Sequence, residues 1–337
     1  MKDVDSVDRS AMILAGGDGT RLRVLTDQMA GGPRPKQFCA LLGPESLPSQ
    51  TRRRVEHLVP AQRTFTVVTQ SHERFYAPLL ADAAPQSVVV QPTNRGTAPA
   101  ILYGLMRLKK QFDDCAVAVF PSDHYVSDDA AFMNHVRVAF DAVELWREAV
   151  VLLGAQATRA ETGYGWIEPG GRLGLSPLYH VRKFWEKPSP QTANALWHDG
   201  CLWNTFVMVG RVSALLALFA SALPDLHGAF QSIQDSLDTS REHEWVERLY
   251  GEMGSINFSE QVLAPHAESL SVLPLSGVEW SDIGEVHRIR SILDRTKDDV
   301  GANGSPIASH PTLAAVTAQE QAQYRNDHYF GRDNARR

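Results

Sequence analysis

Short, fully apolar runs alternate with longer amphipathic stretches through the first half of the chain. The apolar runs at 11–15, 64–69, 87–91, 116–120 and 150–154 read as buried strands. Between them, helix-period patterns fall at 51–58, 71–80, 97–110 and 130–148. Buried strands separated by helices predict βαβ units and a parallel sheet covered on both faces. After residue 154 the pattern becomes mixed. Shorter strands are expected at 163–170 and 181–185, a helix at 189–199 and a strand at 205–209. Helices at 212–223 and 243–250, a strand at 269–275 and a last helix at 285–295 complete the series. From about residue 297 apolar content drops, and a linker with a loosely attached helix near 313–324 is expected.

The first strand runs into Gly16-Gly17-Asp18-Gly19-Thr20-Arg21-Leu22, with Pro35-Lys36-Gln37-Phe38 shortly after. Glycine permits positive φ and close backbone approach to a ligand. Successive N–H groups in such a loop form an anion nest. Arg21 and Lys36 flank it, which suits a polyphosphate. Two familiar phosphate loops are excluded by spacing: Leu22 stands where a dinucleotide fingerprint needs its third glycine, and no Walker motif occurs. On its own the loop reads equally as a glycine-rich turn.

Bulk properties narrow the partners. The 337 residues carry a net charge of −6, which argues against a nucleic-acid binder. The three cysteines are widely spaced, with no disulfide or zinc pattern. No stretch is long and apolar enough to span a bilayer, and residues 1–10 do not resemble a signal peptide. A cytoplasmic protein with no membrane partner is the expectation.

The strand ends offer further chemistry. Asp123, in Pro121-Ser122-Asp123-His124, lies just beyond the carboxyl end of a buried strand, on the edge that carries the glycine loop. Adjacent residues on an extended segment face opposite ways, so Ser122, Asp123 and His124 cannot form a relay among themselves. A carboxylate ligand for Mg²⁺ and a turn or cap residue both remain open for Asp123. Asp282 suits a second metal ligand, or a capping box with Glu285. The loop at 91–100, with Gln91, Asn94, Gly96 and Thr97, could read a base by paired hydrogen bonds, or simply cap a helix through Thr97. Tyr164, Glu168, Glu186, Lys187 and Asn204 could hold a phosphosugar; each alone is more often a packing or surface residue.

Taken together, these motifs resemble a family. The glycine signature with Pro35-Lys36 resembles that of the sugar-phosphate nucleotidyltransferases. Lys36-Gln37-Phe38, Asn94-Arg95-Gly96-Thr97-Ala98-Pro99-Ala100, Pro121-Ser122-Asp123-His124, Gly163-Tyr164-Gly165, Glu186-Lys187-Pro188, Leu202-Trp203-Asn204 and Trp280-Ser281-Asp282-Ile283-Gly284 look like those of mannose-1-phosphate guanylyltransferases. They fall in order from residue 11 to about 284.

The resemblance implies a Rossmann-like three-layer α/β/α nucleotidyltransferase fold with a mixed, mostly parallel sheet. It implies a catalytic domain over 1–295, with a nucleotide part to about 155, a sugar-phosphate part over 156–295, and a tail at 296–337. The implied reaction transfers GMP from GTP to mannose 1-phosphate, with Mg²⁺ as cofactor and a homodimer as a compatible assembly. Arg21 and Lys36 would act on the triphosphate. Leu14, Ala15, Gly16, Gly17, Gly19, Thr20, Gln91, Asn94, Gly96, Thr97 and Ser122 would bind the nucleotide. Tyr164, Gly165, Glu168, Glu186, Lys187 and Asn204 would bind the sugar phosphate, and Asp123 and Asp282 the metal. Three departures stand out: Val24 replaces a proline, the segment between Arg21 and Lys36 is longer, and Thr205-Phe206 replaces Ser-Gly. The first two bear on loop closure, the third on sugar selectivity. Transfer to another sugar 1-phosphate or from another nucleotide is the alternative enzyme, and a non-catalytic nucleotide-sugar sensor the alternative binding protein.

Overall fold

The computed structural model describes residues 8–300 and Ala315. Eleven strands occur among them: β1 (Arg9–Leu14), β2 (Thr64–Thr69), β3 (Val88–Gln91), β4 (Ala116–Pro121), β5 (His124–Val126), β6 (Val150–Gln156), β7 (Gly165–Arg172), β8 (Tyr179–Glu186), β9 (Leu202–Arg211), β10 (Leu270–Pro274) and β11 (Trp280–Asp282). The helices are α1 (Arg23–Ala30), α2 (Leu47–Glu56), α3 (Glu73–Tyr76), α4 (Thr97–Phe112), α5 (Asp129–Leu145), α6 (Pro190–His198), α7 (Val212–Ala222), α8 (Pro224–Ser232), α9 (Glu242–Glu252) and α10 (Val286–Val300). The expected tail helix at 313–324 lies outside the described residues, save Ala315.

Nine strands form one mixed sheet in the order β3-β2-β1-β4-β9-β6-β10-β8-β7. β1 pairs in parallel with β2 and β4, β2 with β3, and β6 with β10. β9 runs against β4, β6 and β7, and β8 against β10 and β7. Only β8 and β9 oppose the common direction. The sheet is therefore parallel in most of its strands, while the insertion of β9 between β4 and β6 makes many of its pairings antiparallel.

Alternation along each strand feeds two cores. Met12, Phe65, Val67, Val117 and Val119 join residues of α4, α7, α8 and α9 in one cluster. Ala11, Ile13, Ala116, Ala118 and Phe120 join Phe132, Met133, Val136 and Phe140 of α5 and Leu196 of α6 in another. Burial on both faces is why these strands read as unbroken apolar runs.

Several elements differ from expectation. The helix expected at 71–80 is a 3₁₀ turn (Gln70–His72) followed by the single turn α3. The strand expected at 205–209 extends over all of β9. α1 and α8 lack a clear apolar stripe in the sequence, and β5 and β11 are three residues each.

The chain divides into two compact units. The larger comprises, among the described residues, 8–17, 51–122 and 126–280, and carries the nine-stranded sheet. The smaller comprises, among the described residues, 18–50, 123–125 and 281–300. Its core is Leu22, Leu25, Cys39, Leu41, Leu47, Ile283, Ile289 and Leu293. No helix among the described residues is long and apolar enough to cross a membrane.

Candidate active site

In the smaller unit, four charged residues from distant positions are drawn together in two linked pairs. Gly19 adopts φ +62 and caps the 3₁₀ turn Thr20–Leu22. A Cβ there would lie 2.7 Å from the Lys36 amide nitrogen, so both conformation and space require glycine. Lys36 is 7% exposed. Its Nζ donates to the Ile283 carbonyl at 2.7 Å and pairs with Asp123 Oδ2 at 2.9 Å. The Ile283 N–H in turn donates to the Asp123 carbonyl at 3.4 Å. Burial works to raise the Asp123 pKa, but the charges of Lys36, His124 and Arg21 and the Lys36 hydrogen bond together hold it below its ordinary value.

Asp282 ends β11. Its Oδ1 accepts Arg288 Nη1 at 2.5 Å, and its Oδ2 lies 3.7 Å from the half-exposed Arg21 guanidinium. Its side chain thus goes to two cations, and the capping-box alternative with Glu285 is not what forms. Arg288, on α10, was invisible to motif reasoning: it lies six residues past Asp282, with no periodic signal tying the two. The fit to Mg²⁺ rests on the donor set. Asp123 and Asp282 offer hard carboxylate oxygens on segments joined by the Ile283–Asp123 backbone bond. Among the described residues no group of three or more His, Cys, Asp or Glu forms a metal cage. Such a pair suits an ion whose remaining ligands are phosphates and water.

The larger unit holds the other candidates. β1 brings Leu14 and Ala15 to its carboxyl end, where the Leu14 carbonyl accepts the N–H of buried Ser122 at 3.1 Å. The Gly16 carbonyl accepts the Thr69 hydroxyl at 2.8 Å. A Cβ at Gly16 would stand 2.6 Å from Gln91 Nε2, so the glycine turn and Gln91 are packed together. Gln91 is 2% exposed and accepts the Tyr250 phenol at 3.1 Å. Burial holds that phenol well above its ordinary pKa, so it stays a donor. Gly17 is open around its Cβ position.

The loop after β3 is fixed from the far side. Asn94 Oδ1 accepts the Gly96 N–H at 2.9 Å. Gly96 has φ +85, and a Cβ there would overlap the Ile256 carbonyl. The Arg95 guanidinium donates to the Tyr250 carbonyl at 3.0 Å, and the Ile256 N–H to the Arg95 carbonyl at 2.9 Å. The Thr97 hydroxyl accepts the Phe258 N–H at 2.9 Å instead of capping α4.

Gly165, Glu186 and Asn204 form a third group. A Cβ at Gly165 would lie 3.0 Å from Glu186 Oε2 and 3.3 Å from Asn204 Cβ. Burial pushes the Glu186 carboxyl up, against the opposing charge of Lys187 and the hydrogen bonds of Lys187 and Asn257, with Glu260 adding to the rise. Lys187 Nζ stands 3.6 Å from Glu186 Oε1, and its N–H donates to the Tyr164 carbonyl at 3.2 Å. Tyr164 itself is 4% exposed, edge-on to Trp203 and Trp280 in the core. Glu168 is not brought into this group: three positions along β7 it takes the opposite face from Gly165 and pairs with Arg182 at 3.1 Å. Asn257, missed in the sequence, meets Glu186 from a segment 71 residues away by numbering.

Non-glycine residues with positive φ among the described residues are Asp113, Lys187, Phe206 and Asp238. Two of the four, Lys187 and Phe206, lie within two residues of Glu186 or Asn204 in this third group. Backbone strain of this kind collects at functional sites.

Comparison with known proteins gives a consistent picture. A family model described as nucleotidyl transferase matches residues 10–299. The chain is 30% identical over 296 residues to the xanthan biosynthesis protein XanB of Xanthomonas campestris pv. campestris (strain B100), covering 87% of this chain and 60% of that one. It is 31% identical over 284 residues to a mannose-1-phosphate guanylyltransferase of Sinorhizobium fredii (strain NBRC 101917 / NGR234), covering 81% and 52%. The chain thus spans somewhat over half the length of these relatives. Among solved structures, one described as a mannose-1-phosphate geranyltransferase from Thermus thermophilus aligns with a TM-score of 0.73 at 30% identity, covering 84% of this chain and 79% of that one.

Proposed function

The chain belongs to the nucleotidyl transferase family, and from that premise we propose that it transfers GMP from GTP to mannose 1-phosphate and releases pyrophosphate. The observation that carries this reading is the convergence of Lys36 with Asp123 and of Arg21 with Asp282 in one compact unit. A protein that only held a nucleotide sugar would have no need for a pair of carboxylates able to hold a metal beside those cations.

In this reading a phosphate oxygen of the sugar 1-phosphate attacks the α-phosphorus of GTP. The new P–O bond forms as the bond from the α-phosphorus to the bridging oxygen breaks, and that electron pair leaves with pyrophosphate. The nucleophile is already anionic, so positioning and charge neutralisation carry the catalysis. Lys36 has three N–H donors and uses two on Asp123 and Ile283, leaving the third for a phosphate oxygen. Arg21 is held loosely enough by Asp282 to reach a departing phosphate. Asp123 and Asp282 would hold Mg²⁺, which supplies charge neutralisation at the α-phosphate. Gln91, Asn94, Gly96 and Thr97 would serve the base, and Glu186, Lys187 and Asn204 the sugar phosphate. The helix-covered sheet is read as the three-layer Rossmann-like form of the fold.

Pyrophosphate release measured with GTP, ATP, UTP and dTTP, each against mannose 1-phosphate and glucose 1-phosphate with Mg²⁺, tests the proposal. GTP with mannose 1-phosphate is expected to dominate. Greater turnover with another pair reassigns the substrate, and tight GDP-mannose binding without any pyrophosphate release sinks the enzyme reading.

A further inference from the structure

The Tyr250 phenol is a fully buried polar group with a single partner. On α9 it is 0% exposed, its ring edge-on to Tyr103 and Phe230 with centroids 6.3 and 6.1 Å away. Among the described residues its hydroxyl makes one hydrogen bond, to Gln91 Oε1 at 3.1 Å. A phenol enclosed in this way has to place its proton on the one acceptor within reach. Burial also keeps it from ionising, so it does not turn into an acceptor.

That requirement decides which way round the Gln91 amide sits. With its oxygen on the phenol, Nε2 lies on the other side, at the glycine turn after β1. The reverse orientation would set Nε2 against the phenol and strand a buried O–H, disfavouring it by about tenfold or more. Nε2 donates to no group among the described residues, and it is not one of their sealed, unpartnered polar atoms, so it keeps contact with solvent. Gly16 leaves it uncovered: a Cβ there would lie 2.6 Å from Nε2 and 2.9 Å from the Thr69 hydroxyl. Gly16, Thr69 and Gln91 stand at the carboxyl ends of β1, β2 and β3, which run parallel. Ligands of such sheets bind at those ends. An acceptor for the phenol alone would need an oxygen and nothing more, yet this side chain also holds two N–H donors at bare backbone.

We propose that Tyr250 is a positioning residue for base recognition: its phenol pins the Gln91 amide with the NH2 toward the glycine turn, so that the base is met there by a donor and a keto-bearing base is taken over an amino-bearing one. The assignment rests on the role proposed above for Gln91 and adds what sets its polarity.

The test compares kcat/KM for pyrophosphate release with GTP and with 2,6-diaminopurine riboside triphosphate, which carries an amine where guanine has its keto oxygen. UTP and CTP form a second keto and amino pair, and mannose 1-phosphate is saturating throughout. The wild type is expected to favour the keto member, and a ratio within twofold of one in both pairs overturns the assignment before any variant is made. Tyr250→Phe keeps the ring and releases the amide, and should lower the GTP preference about tenfold while the KM for mannose 1-phosphate stays in place. Gln91→Leu should lower it at least as far. Adding Tyr250→Phe to Gln91→Leu should then leave the ratio within twofold, because no amide remains to be oriented. Equal losses for both nucleotides in Tyr250→Phe would make the phenol structural and overturn the assignment. A wild type that prefers UTP to GTP and rejects CTP reassigns the base in the proposed function and still supports a donor at Gln91. If no nucleotide gives pyrophosphate, the proposed function falls first and takes this assignment with it.

Discussion

Lys36 shows how one buried charge can hold a site and act in it. Its ammonium is almost fully enclosed, and its partner Asp123 is ionised because the cation is there. Lys36→Met is expected to lower kcat for pyrophosphate release by about 10²-fold or more, the scale of losing a preorganised electrostatic donor. Lys36→Arg should not rescue it, since a planar fork cannot occupy a point cation's enclosed place. Turnover within threefold of wild type in Lys36→Met would show that Lys36 is structural. Glu186 carries a second prediction. Its carboxyl is raised by burial, and Lys187 opposes the rise. In the proposed sugar-phosphate role the ionised carboxylate is the stronger acceptor of sugar hydroxyls, so kcat/KM for the sugar phosphate should fall on acidification at a pH above the ordinary glutamate range. Lys187→Met removes the opposing charge and should move that acid limb higher still, while the limb for GTP stays in place; pH profiles of both constants decide it. Much at this scale was legible, because Gly16, Gly19, Lys36, Asp123 and Asp282 sit in short motifs whose chemistry is local. Arg288 and Asn257 were not, because each acts on its partner across a fold contact that leaves no spacing rule in the sequence.

Elements explain how the 91–100 loop, which we propose serves the base, holds its form. Arg95, Thr97 and Ala98 are all bonded to Tyr250, Ile256 or Phe258, so the loop is fixed by α9 and the segment that follows it. Gly96→Ala would add a Cβ at φ +85 and drive it into the Ile256 carbonyl. We expect a loss of stability of about 2–4 kcal/mol from overpacking and left-handed strain together, read by denaturant unfolding. The KM for GTP should rise while that for the sugar phosphate changes little; equal changes in both would locate the loop outside base recognition. The first-half strands were legible because burial on both faces leaves no polar interruption. β9 was not read at full length, since Trp203-Asn204-Thr205-Phe206 mixes polar and bulge residues into the strand. The longer segment between Arg21 and Lys36 proved to be α1, stopped by Gly31 at φ +67. Its stripe of Leu25, Thr26 and Met29 is too narrow to stand out from a polar surround.

For the molecule as a whole, the compact units follow the chemistry more closely than the chain order. The smaller unit draws 18–50, 123–125 and 281–300 together, and it contains Arg21, Lys36, Asp123 and Asp282. Its core is a small cluster, with Ile283, Ile289 and Leu293 from one segment against Leu22, Leu25, Cys39, Leu41 and Leu47 from another. A small core gives a low opening free energy, so this unit should open before the sheet-bearing one. Ile289 is fully buried, and Ile289→Ala should cost about 2–4 kcal/mol by the lost methyls and the cavity left behind. That loss falls on α10, whose first turns carry Arg288 against Asp282. Hydrogen exchange should therefore speed up at 18–50 and 281–295 in the variant, while β1, β4 and β6 keep their protection. The kcat should drop with it, because the Asp282 carboxylate loses the helix that fixes its partner. Faster exchange spread evenly over both units would mean that they unfold as one, and that the four charged residues owe their placement to the whole sheet instead of to this small core.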